Sequence, residues 1–346
     1  GAGLAGAAAL VAALYGIGAI HVGRAEALLA GVVLVAGLAT LLYGRAPLRM
    51  AAAALAMGGA LVIAAPTLSP GQSERSFFGV HRVTETADGR FRMLGHGTTV
   101  HGAQRLLDDA GRPVAELLPA TYYYPDGPMA RGVQAARAAP GDDATGFAVG
   151  VVGLGAGSLA CYRQPGEDWR FFEIDPVVER IARDPARFAF LPRCGGEVPV
   201  VIGDARLTLA DVPPGGFDYL LIDAFSSDVV PAHLLTAEAL RLYVSRLAPE
   251  GLLALHISNR HVDLAPVLAA TAAAVPGVES LVVTDLGAPG GLDGMRSRVF
   301  FIARSESALD QVRAWPDAAP PDAAGMRAWT DDYSNIFGAI WRKKVR

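Results

Sequence analysis

The 346-residue sequence predicts an α/β protein attached to a membrane, whose largest part is a mainly parallel sheet covered by helices. Three observations support this prediction. The N-terminal region consists of uncharged apolar runs, a short segment with strand and turn signals follows it, and apolar strands then alternate with helices. We therefore predict three regions: transmembrane helices at 1–70, a small β domain at 71–124 and an α/β domain at 125–346.

The N-terminal region contains three runs without Asp, Glu, Lys or Arg, at 1–23, 27–44 and 50–73. Each run is close to the roughly 20 residues that a helix needs to cross a bilayer. Their many Gly and Ala residues suit close packing of helices in lipid. The runs therefore predict about three transmembrane helices, with the lipid bilayer as a partner. An Ala-rich soluble bundle is the alternative, because Ala is only weakly apolar.

The composition excludes several classes of function. Hydrophobic residues make up 52% of the chain and charged residues 18%, and the net charge is -4, so no nucleic-acid partner is expected. The histidines show no metal-binding spacing such as H-E-x-x-H, and Cys161 and Cys194 are too few for a Cys-rich metal site. We expect no metal ion, and we expect both cysteines to be ordinary thiols.

The pattern of strands changes along the chain. Phe77 to Glu85 is rich in aromatic and branched residues, Asp88-Gly89 is a hairpin turn signal, and return strands are expected at 90–94 and 98–101. The later strands are apolar without alternation, which is typical of a parallel sheet buried on both faces. These strands are expected at 147–152, 169–174, 198–202, 217–222, 252–257, 280–284 and 299–303.

The first of these later strands runs into the glycine-rich turn VVGLGAGSLA. Gly153, Gly155 and Gly157 let the backbone turn tightly and let a ligand approach it closely. Glu173 ends the next strand, 20 residues after Gly153, at the spacing at which a carboxylate binds ribose hydroxyls. The turn and the carboxylate together indicate a nucleoside ligand.

Two further strands end in aspartates, Asp204 and Asp223, and ligands of open α/β sheets bind at the carboxyl ends of the strands. Asp204 can accept a hydrogen bond from an adenine amino group, with a helix cap as the alternative. Asp175 precedes Pro176 and is interpreted as a helix cap. The four strand ends predict an adenosine site on a Rossmann-like, methyltransferase-type fold.

The histidines are interpreted one by one. His256 lies inside an apolar strand and is expected to be structural. His96 and His101 flank the third strand of the small β unit, where each either faces the ligand or has a role in a turn or the core. The sequence also lacks the phosphate-binding G-x-x-x-x-G-K-[ST] motif and the G-x-S-x-G nucleophile elbow.

The ordered set GLGAGSLA, FFEID, VIGDA and FDYLLIDAFSSD, behind a small β unit, resembles the spermidine synthase (polyamine aminopropyltransferase) family. More narrowly it is similar to the branch fused behind transmembrane helices, which the tail WTDDYSNIF also resembles. The resemblance covers about residues 75–340. It implies a transferase of polyamine biosynthesis that moves an aminopropyl group from decarboxylated S-adenosylmethionine to an amine such as putrescine.

The resemblance also implies roles for single residues. Glu173 matches the ribose-binding Glu of the family, Asp204 and Ala205 match its adenine-binding pair, and Gln104 matches a donor-contacting Gln. Asp223 matches the carboxylate that deprotonates or orients the attacking amine.

The run Tyr122 to Tyr124 falls where the family places an aromatic-led acceptor motif. Within it we assign Tyr123 to catalysis with Asp223. We assign Tyr124, His101 and Asp228 to the acceptor amine.

The sequence departs from the family in its glycine-rich turn, where Ala156 stands in place of an acid that pairs with the donor's ammonium group. Two alternatives therefore remain: an S-adenosylmethionine-dependent methyltransferase on the same fold, and a non-catalytic sensor of an adenosine ligand. Because such donors are made in the cytosol, we expect a multi-pass inner (cytoplasmic) membrane protein whose catalytic domain faces the cytoplasm. The arginines between the apolar runs weakly favour the opposite orientation. A homodimer is possible.

Overall fold

The computed structural model describes residues 72–97, 99–139, 146–224, 231–289 and 291–345. The predicted transmembrane helices at 1–70 and the predicted acceptor residue Asp228 lie outside these residues. Within the described ranges, no helix is long and apolar enough to cross a membrane. The residues from Gln72 onward form one compact unit.

A four-stranded antiparallel sheet comes first, with its strands paired in chain order. Its hairpin turn lies at Asp88 and Gly89, as predicted, and Gly89 takes a positive φ of 68° there. Val83 and Leu94 are buried on one face of the sheet, opposite each other in register. The four strands are β1 (Gln72–Arg75), β2 (Val80–Glu85), β3 (Phe91–His96) and β4 (Thr99–Arg105).

An eight-stranded sheet forms the larger part of the described chain. Its order is β12-β10-β11-β9-β8-β5-β6-β7. The five strands from β5 to β9 are parallel, whereas β11 is antiparallel to both of its neighbours. The strands are β5 (Ala148–Val152), β6 (Asp168–Glu173), β7 (Val200–Ile202), β8 (Phe217–Ile222), β9 (Leu247–His256), β10 (Glu279–Asp285), β11 (Ser297–Ala303) and β12 (Ala318–Ala319).

Helices cover both faces of this sheet, which is why its central strands carry apolar side chains on both faces. In β8, Leu220 and Ile222 pack into one core cluster, and Tyr219 and Leu221 pack into the cluster on the opposite face. The helices are α1 (Pro128–Ala138), α2 (Pro176–Arg183), α3 (Ala205–Ala210), α4 (Ala237–Arg246), α5 (Ala265–Ala273), α6 (Glu306–Arg313) and α7 (Ile336–Val345).

The two cysteines form a disulfide bond, so the prediction of two ordinary thiols is wrong. Cys161 and Cys194 are 33 residues apart in sequence, and their Cα atoms are 4.7 Å apart. Cys161 lies in a short 3-10 helix, Ser158–Tyr162, directly after the glycine-rich turn, and Cys194 lies in a π-helical turn, Leu191–Gly195. Tertiary packing of these two turns brings the sulfur atoms together, and no local sequence pattern reports that packing.

Candidate active site

A cavity of about 310 Å³ lies where the carboxyl ends of β5, β6 and β8 meet the small sheet. Parallel strands end at the same edge of a sheet, and ligands of open α/β sheets bind there. The wall combines apolar side chains with carboxylates and imidazoles. It is formed by Phe78, His81, Leu94, His96, His101, Val152, Gly153, Gly155, Phe172, Glu173, Ile174, Asp175, Val178, Gly203, Asp204, Ala205, Asp223, Ala224, Pro231, His233 and Leu234.

The glycine-rich turn contributes backbone to this wall. Gly153 and Gly155 have positive φ angles of 95° and 54°. A Cβ atom on Gly153 would collide with the carbonyl oxygen of Asp223, and one on Gly155 would collide with that of His101. Gly157, with φ 78°, is the N-cap residue of the 3-10 helix that follows. The turn is therefore pressed against both the end of β8 and the small sheet, and only glycine permits this contact.

Glu173 is buried at the end of β6 and holds the turn in place. Its Oε2 atom accepts a hydrogen bond of 2.9 Å from the Leu154 N–H, and its Oε1 atom accepts one of 2.9 Å from the Asp175 N–H. Burial raises the pKa of Glu173, and these two N–H groups act in the opposite direction. A buried carboxylate in the cavity wall can accept hydrogen bonds from the hydroxyls of a ribose.

Asp204 and Asp175 both cap helices and both line the cavity. Asp204 accepts a hydrogen bond of 2.8 Å from the Arg206 N–H at the start of α3, and Asp175 accepts one of 2.9 Å from the Val177 N–H at the start of α2. The capping interpretation is therefore confirmed for both residues. For Asp204, cap and ligand contact are compatible, because the same side chain and the adjacent Ala205 face the cavity.

Asp223 follows β8 and is held by two buried side chains. The Tyr123 hydroxyl donates to its Oδ2 atom, and His256 Nδ1 lies 2.6 Å from its Oδ1 atom. Burial, followed by the negative charge of Asp223, raises the pKa of Tyr123 well above its usual value, so Tyr123 remains a hydrogen-bond donor. The predicted pair of Tyr123 and Asp223 is thus in direct contact.

His256 is a site residue that the sequence interpretation missed. It was expected to be structural, but it ends β9, and β9 pairs in parallel with β8 so that Leu255 lies opposite Ile222. The residues that follow this pair are His256, the last residue of β9, and Asp223, directly after β8. A polar residue at the end of an apolar strand, adjacent to a strand that ends in an acid, is the signal that could have found it.

Three histidines of the small sheet form part of the opposite wall. The rings of His81 and His96 are 4.9 Å apart, and those of His96 and His101 are 5.8 Å apart. His81 Nε2 lies 2.7 Å from Asp175 Oδ2, which also accepts from Ser76. Burial raises the pKa of Asp175, but hydrogen bonds from Ser76, the Val177 N–H and His81 outweigh it and hold that pKa below its usual value. The pKa of His96 is lowered by burial and then by His81.

Several predicted site residues lie away from the cavity wall. The Tyr124 hydroxyl donates to both carboxylate oxygens of Asp285 at 3.0 Å, and burial together with this carboxylate raises the pKa of Tyr124 to about 12. Gln104 Oε1 accepts a hydrogen bond of 2.8 Å from the Ala189 N–H. Ala156 is fully buried beside Gly102. Among the residues that the structure describes, no group of three or more His, Cys, Asp or Glu side chains could hold a metal ion.

The strand order, the antiparallel β11 and the acidic strand ends around a glycine-rich turn define a Rossmann-like protein of methyltransferase type with a small antiparallel sheet. No protein-family model matches the chain. A curated polyamine aminopropyltransferase of Vibrio vulnificus (strain CMCP6) is 34% identical over 108 residues, which are 30% of this chain and 35% of that protein. The match spans about a third of the length of that relative.

Two solved structures have the same fold. A probable spermidine synthase from Corynebacterium glutamicum ATCC 13032 aligns with a TM-score of 0.51 and 18% identity, covering 76% of this chain and 97% of that one. Spermidine synthase from Thermotoga maritima aligns with a TM-score of 0.50 and 13% identity, covering 79% of this chain and 86% of that one. The chain is thus similar to polyamine aminopropyltransferases in part of its sequence and to spermidine synthases in its fold.

Proposed function

We propose that the protein is a transferase of polyamine biosynthesis that moves an aminopropyl group from decarboxylated S-adenosylmethionine to an amine such as putrescine. The observation that carries this proposal is Asp223, a carboxylate at the end of β8 that lines the cavity between Tyr123 and His256. The sequence similarity to a polyamine aminopropyltransferase supports it.

In this proposal the residues at the ends of β6 and β7 bind the nucleoside. Glu173 accepts hydrogen bonds from the ribose hydroxyls, and Asp204 accepts one from the adenine amino group. Gly153 and Gly155 line the cavity together with Asp223, so a donor bound there would present its reacting carbon to this carboxylate. Holding the amine and the sulfonium carbon in line supplies much of the rate.

Asp223 removes the barrier set by the protonated acceptor, because an alkylamine attacks only as the neutral base. The ammonium passes one proton to the carboxylate, and the nitrogen lone pair then forms the new C–N bond. The C–S bond breaks with its electron pair moving to sulfur, so the sulfonium leaves as a neutral thioether. The product amine carries the remaining positive charge.

A methyltransferase that uses S-adenosylmethionine is the second candidate, and the surroundings of Ala156 favour it. Position 156 carries no acid for the donor's ammonium group, and its side chain is packed against the small sheet. An acid there would have to displace β4. Both reactions use a sulfonium donor and the same nucleoside-binding residues, so the product of the reaction decides between them.

The test is mass spectrometry of the products that the full chain forms with each donor and a panel of diamines. We expect an amine extended by one aminopropyl group, formed only from the decarboxylated donor. We also expect Asp223→Asn to abolish turnover while methylthioadenosine binds within about threefold of its wild-type affinity, because the change removes the base and not the nucleoside site. A methylated product, or full activity of Asp223→Asn, would contradict the proposal.

We also propose that residues 1–70 attach the protein to the inner membrane and that the catalytic domain faces the cytoplasm. The three uncharged runs support the attachment. The cytosolic origin of sulfonium donors supports the orientation, whereas the Cys161–Cys194 disulfide opposes it, because disulfides are rare in the cytosol.

A further inference from the structure

We propose that His256 is a positioning residue for Asp223: its imidazole, fixed from behind by Ser258, holds the carboxylate in the orientation in which it accepts a proton from the attacking amine. The inference rests on the proposed transfer reaction and adds a residue to that site. Its physical basis is a buried chain of polar groups that runs from the cavity wall into the sheet.

The chain of contacts begins at the cavity and ends at a backbone N–H group. His256 Nδ1 lies 2.6 Å from Asp223 Oδ1, and His256 Nε2 lies 2.7 Å from Ser258 Oγ. The Arg298 backbone N–H donates to the same Ser258 Oγ at 2.8 Å. The side chains of His256 and Asp223 are only 4% and 3% exposed, so these contacts replace water.

These partners indicate the tautomer of the imidazole. Because Ser258 Oγ already accepts from the Arg298 N–H, its own hydrogen is available to His256 Nε2. A neutral imidazole that accepts at Nε2 carries its hydrogen on Nδ1. We therefore assign His256 Nδ1–H as the donor to Asp223 Oδ1. Tyr123 donates to the other oxygen, so each oxygen of the carboxylate has one fixed donor.

This arrangement fixes the plane of the carboxylate while leaving lone pairs for the substrate. Each carboxylate oxygen can accept about two hydrogen bonds, so one donor on each oxygen leaves capacity for the ammonium in the cavity. Without the imidazole, Oδ1 loses its buried partner and the side chain is free to rotate away from the in-line geometry. Such a displacement lowers the rate of the chemical step more than it lowers binding of the nucleoside.

Protonation of the imidazole would disrupt the same arrangement. A second hydrogen on Nε2 opposes the hydrogen that Ser258 directs at this atom, and the new positive charge lies against a site for two cationic substrates. The Tyr122 ring lies 4.7 Å from the imidazole ring of His256, and Tyr123 donates to the same carboxylate of Asp223. Burial and the charge of Asp223 raise the pKa of both tyrosines, which therefore stay neutral. The neutral imidazole is therefore the form that positions Asp223.

The experiment compares His256→Leu, His256→Asn and the control Tyr219→Phe in the full chain. Tyr219 is buried in the same sheet and its hydroxyl donates to the Met129 carbonyl, so its variant removes a buried hydrogen bond that does not involve Asp223. Turnover, KM for both substrates, methylthioadenosine affinity and Tm are measured for each protein. The asparagine amide can place a donor near the position of Nδ1, whereas leucine cannot.

We expect His256→Leu to lower kcat by about 100-fold with methylthioadenosine affinity within about threefold of wild type. His256→Asn should recover at least about tenfold of that loss, because its amide can donate to Asp223 Oδ1. Equal kcat values for His256→Leu and His256→Asn would overturn the proposal. So would a loss confined to KM, or a loss of kcat in all three variants that follows their Tm.

A second measurement needs no turnover. Nitrogen NMR of the 15N-histidine-labelled protein should show His256 protonated at Nδ1 and unprotonated at Nε2, and Asp223→Asn should shift the Nδ1 signal. The opposite tautomer, or an Nδ1 signal that Asp223→Asn leaves unchanged, would overturn the role of His256. If the wild type forms no aminopropylated product while the NMR result is as expected, the proposed function fails and the positioning of Asp223 stands.

Discussion

At the scale of single residues, Glu173 joins the glycine-rich turn to the strand beside it. Its two oxygens accept from the Leu154 and Asp175 N–H groups, which belong to the segments after β5 and β6. The same carboxylate lines the cavity, so local structure and ligand binding depend on one buried group. A substitution that replaces one carboxylate oxygen of Glu173 by an NH2 group would therefore disturb both the turn and ligand binding.

We predict that Glu173→Gln weakens methylthioadenosine binding at least about tenfold and lowers the free energy of unfolding by about 1–3 kcal/mol, because its amide nitrogen must face a buried N–H donor. Calorimetry and urea denaturation measure the two effects. Glu179→Gln is the matched control, since Glu179 pairs with Arg183 on the surface of α2. An equal loss of affinity in both variants would show that Glu173 has no special place in the site.

At the scale of elements, the small sheet brings imidazoles to the cavity by strand register. His81 and His96 are directly opposite each other in β2 and β3, and His101 follows in β4. Their rings form a row in the wall, and Asp175 contacts that row through His81. Protonation of His96 in this row would place positive charge against a sulfonium donor.

We predict that acid weakens binding of a sulfonium donor more than binding of the neutral thioether methylthioadenosine. The pKa of His96 is lowered by burial and by His81, so this residue is neutral at pH 7 and gains its proton below its ordinary value of about 6.5. Titration calorimetry from pH 7.5 to 5 compares the two ligands, with His96→Gln as the control that removes the difference. Parallel pH profiles for both ligands would contradict the role of the row.

The same depressed pKa has a consequence for stability. As pH falls through about 6.5, the unfolded chain binds a proton at His96 before the folded chain does. Folding stability is therefore lost from that pH downward, until the folded state also becomes protonated.

The elements differ in how much of them the sequence could reveal. β8 is apolar except for Asp218 and was predicted at 217–222, where it is found. β1 is the polar stretch QSER, an edge strand paired on one side only, so no apolar pattern reports it. Residues 232–246 form two elements, the 3-10 turn Ala232–Leu234 and α4, because Thr236 accepts from the Ala239 N–H and caps α4 at Ala237.

The candidate site likewise contains residues that the sequence could reveal and contacts that it could not. Glu173, Asp204 and Asp223 could be predicted, because the ends of parallel strands meet at one edge. The contact between Asp223 and His256 depends on which strands are neighbours, and that order follows from the packing of the whole sheet. The burial of Ala156 could not be predicted either, because it depends on the contact of the glycine-rich turn with Gly102 of the small sheet.

At the scale of the whole molecule, the Cys161–Cys194 disulfide joins the segment after the glycine-rich turn to the segment before β7. The chain between the cysteines includes β6 and α2. A cross-link stabilises a protein mainly by restricting its unfolded chain, and the restriction grows with the length of the closed loop. Disulfides persist in oxidising compartments and are rare in the cytosol.

We predict that reduction, or the variant Cys161→Ser with Cys194→Ser, lowers the free energy of unfolding by about 3–4 kcal/mol for a loop of this length. Denaturation of the purified protein with and without a reductant measures the loss, and the double serine variant should be insensitive to the reductant. A reductant effect that persists in the serine variant would contradict the assignment.

The same pair tests the proposed orientation in intact cells. A domain that faces the cytoplasm should hold both cysteines as thiols that an alkylating reagent traps at once after lysis. A pair that is already oxidised at that moment would contradict the cytoplasmic orientation.

The last part of the chain has a consequence for synthesis. Asp331 accepts from Arg206 at the start of α3 and from Thr236 at the start of α4, and Trp329 is buried. The Arg298 N–H supports the chain of contacts behind Asp223. A ribosome therefore makes every group that lines the cavity before it makes Arg298 and Asp331, which support parts of its wall. A nascent protein that ends before these residues has the pocket residues without part of the geometry that makes them useful.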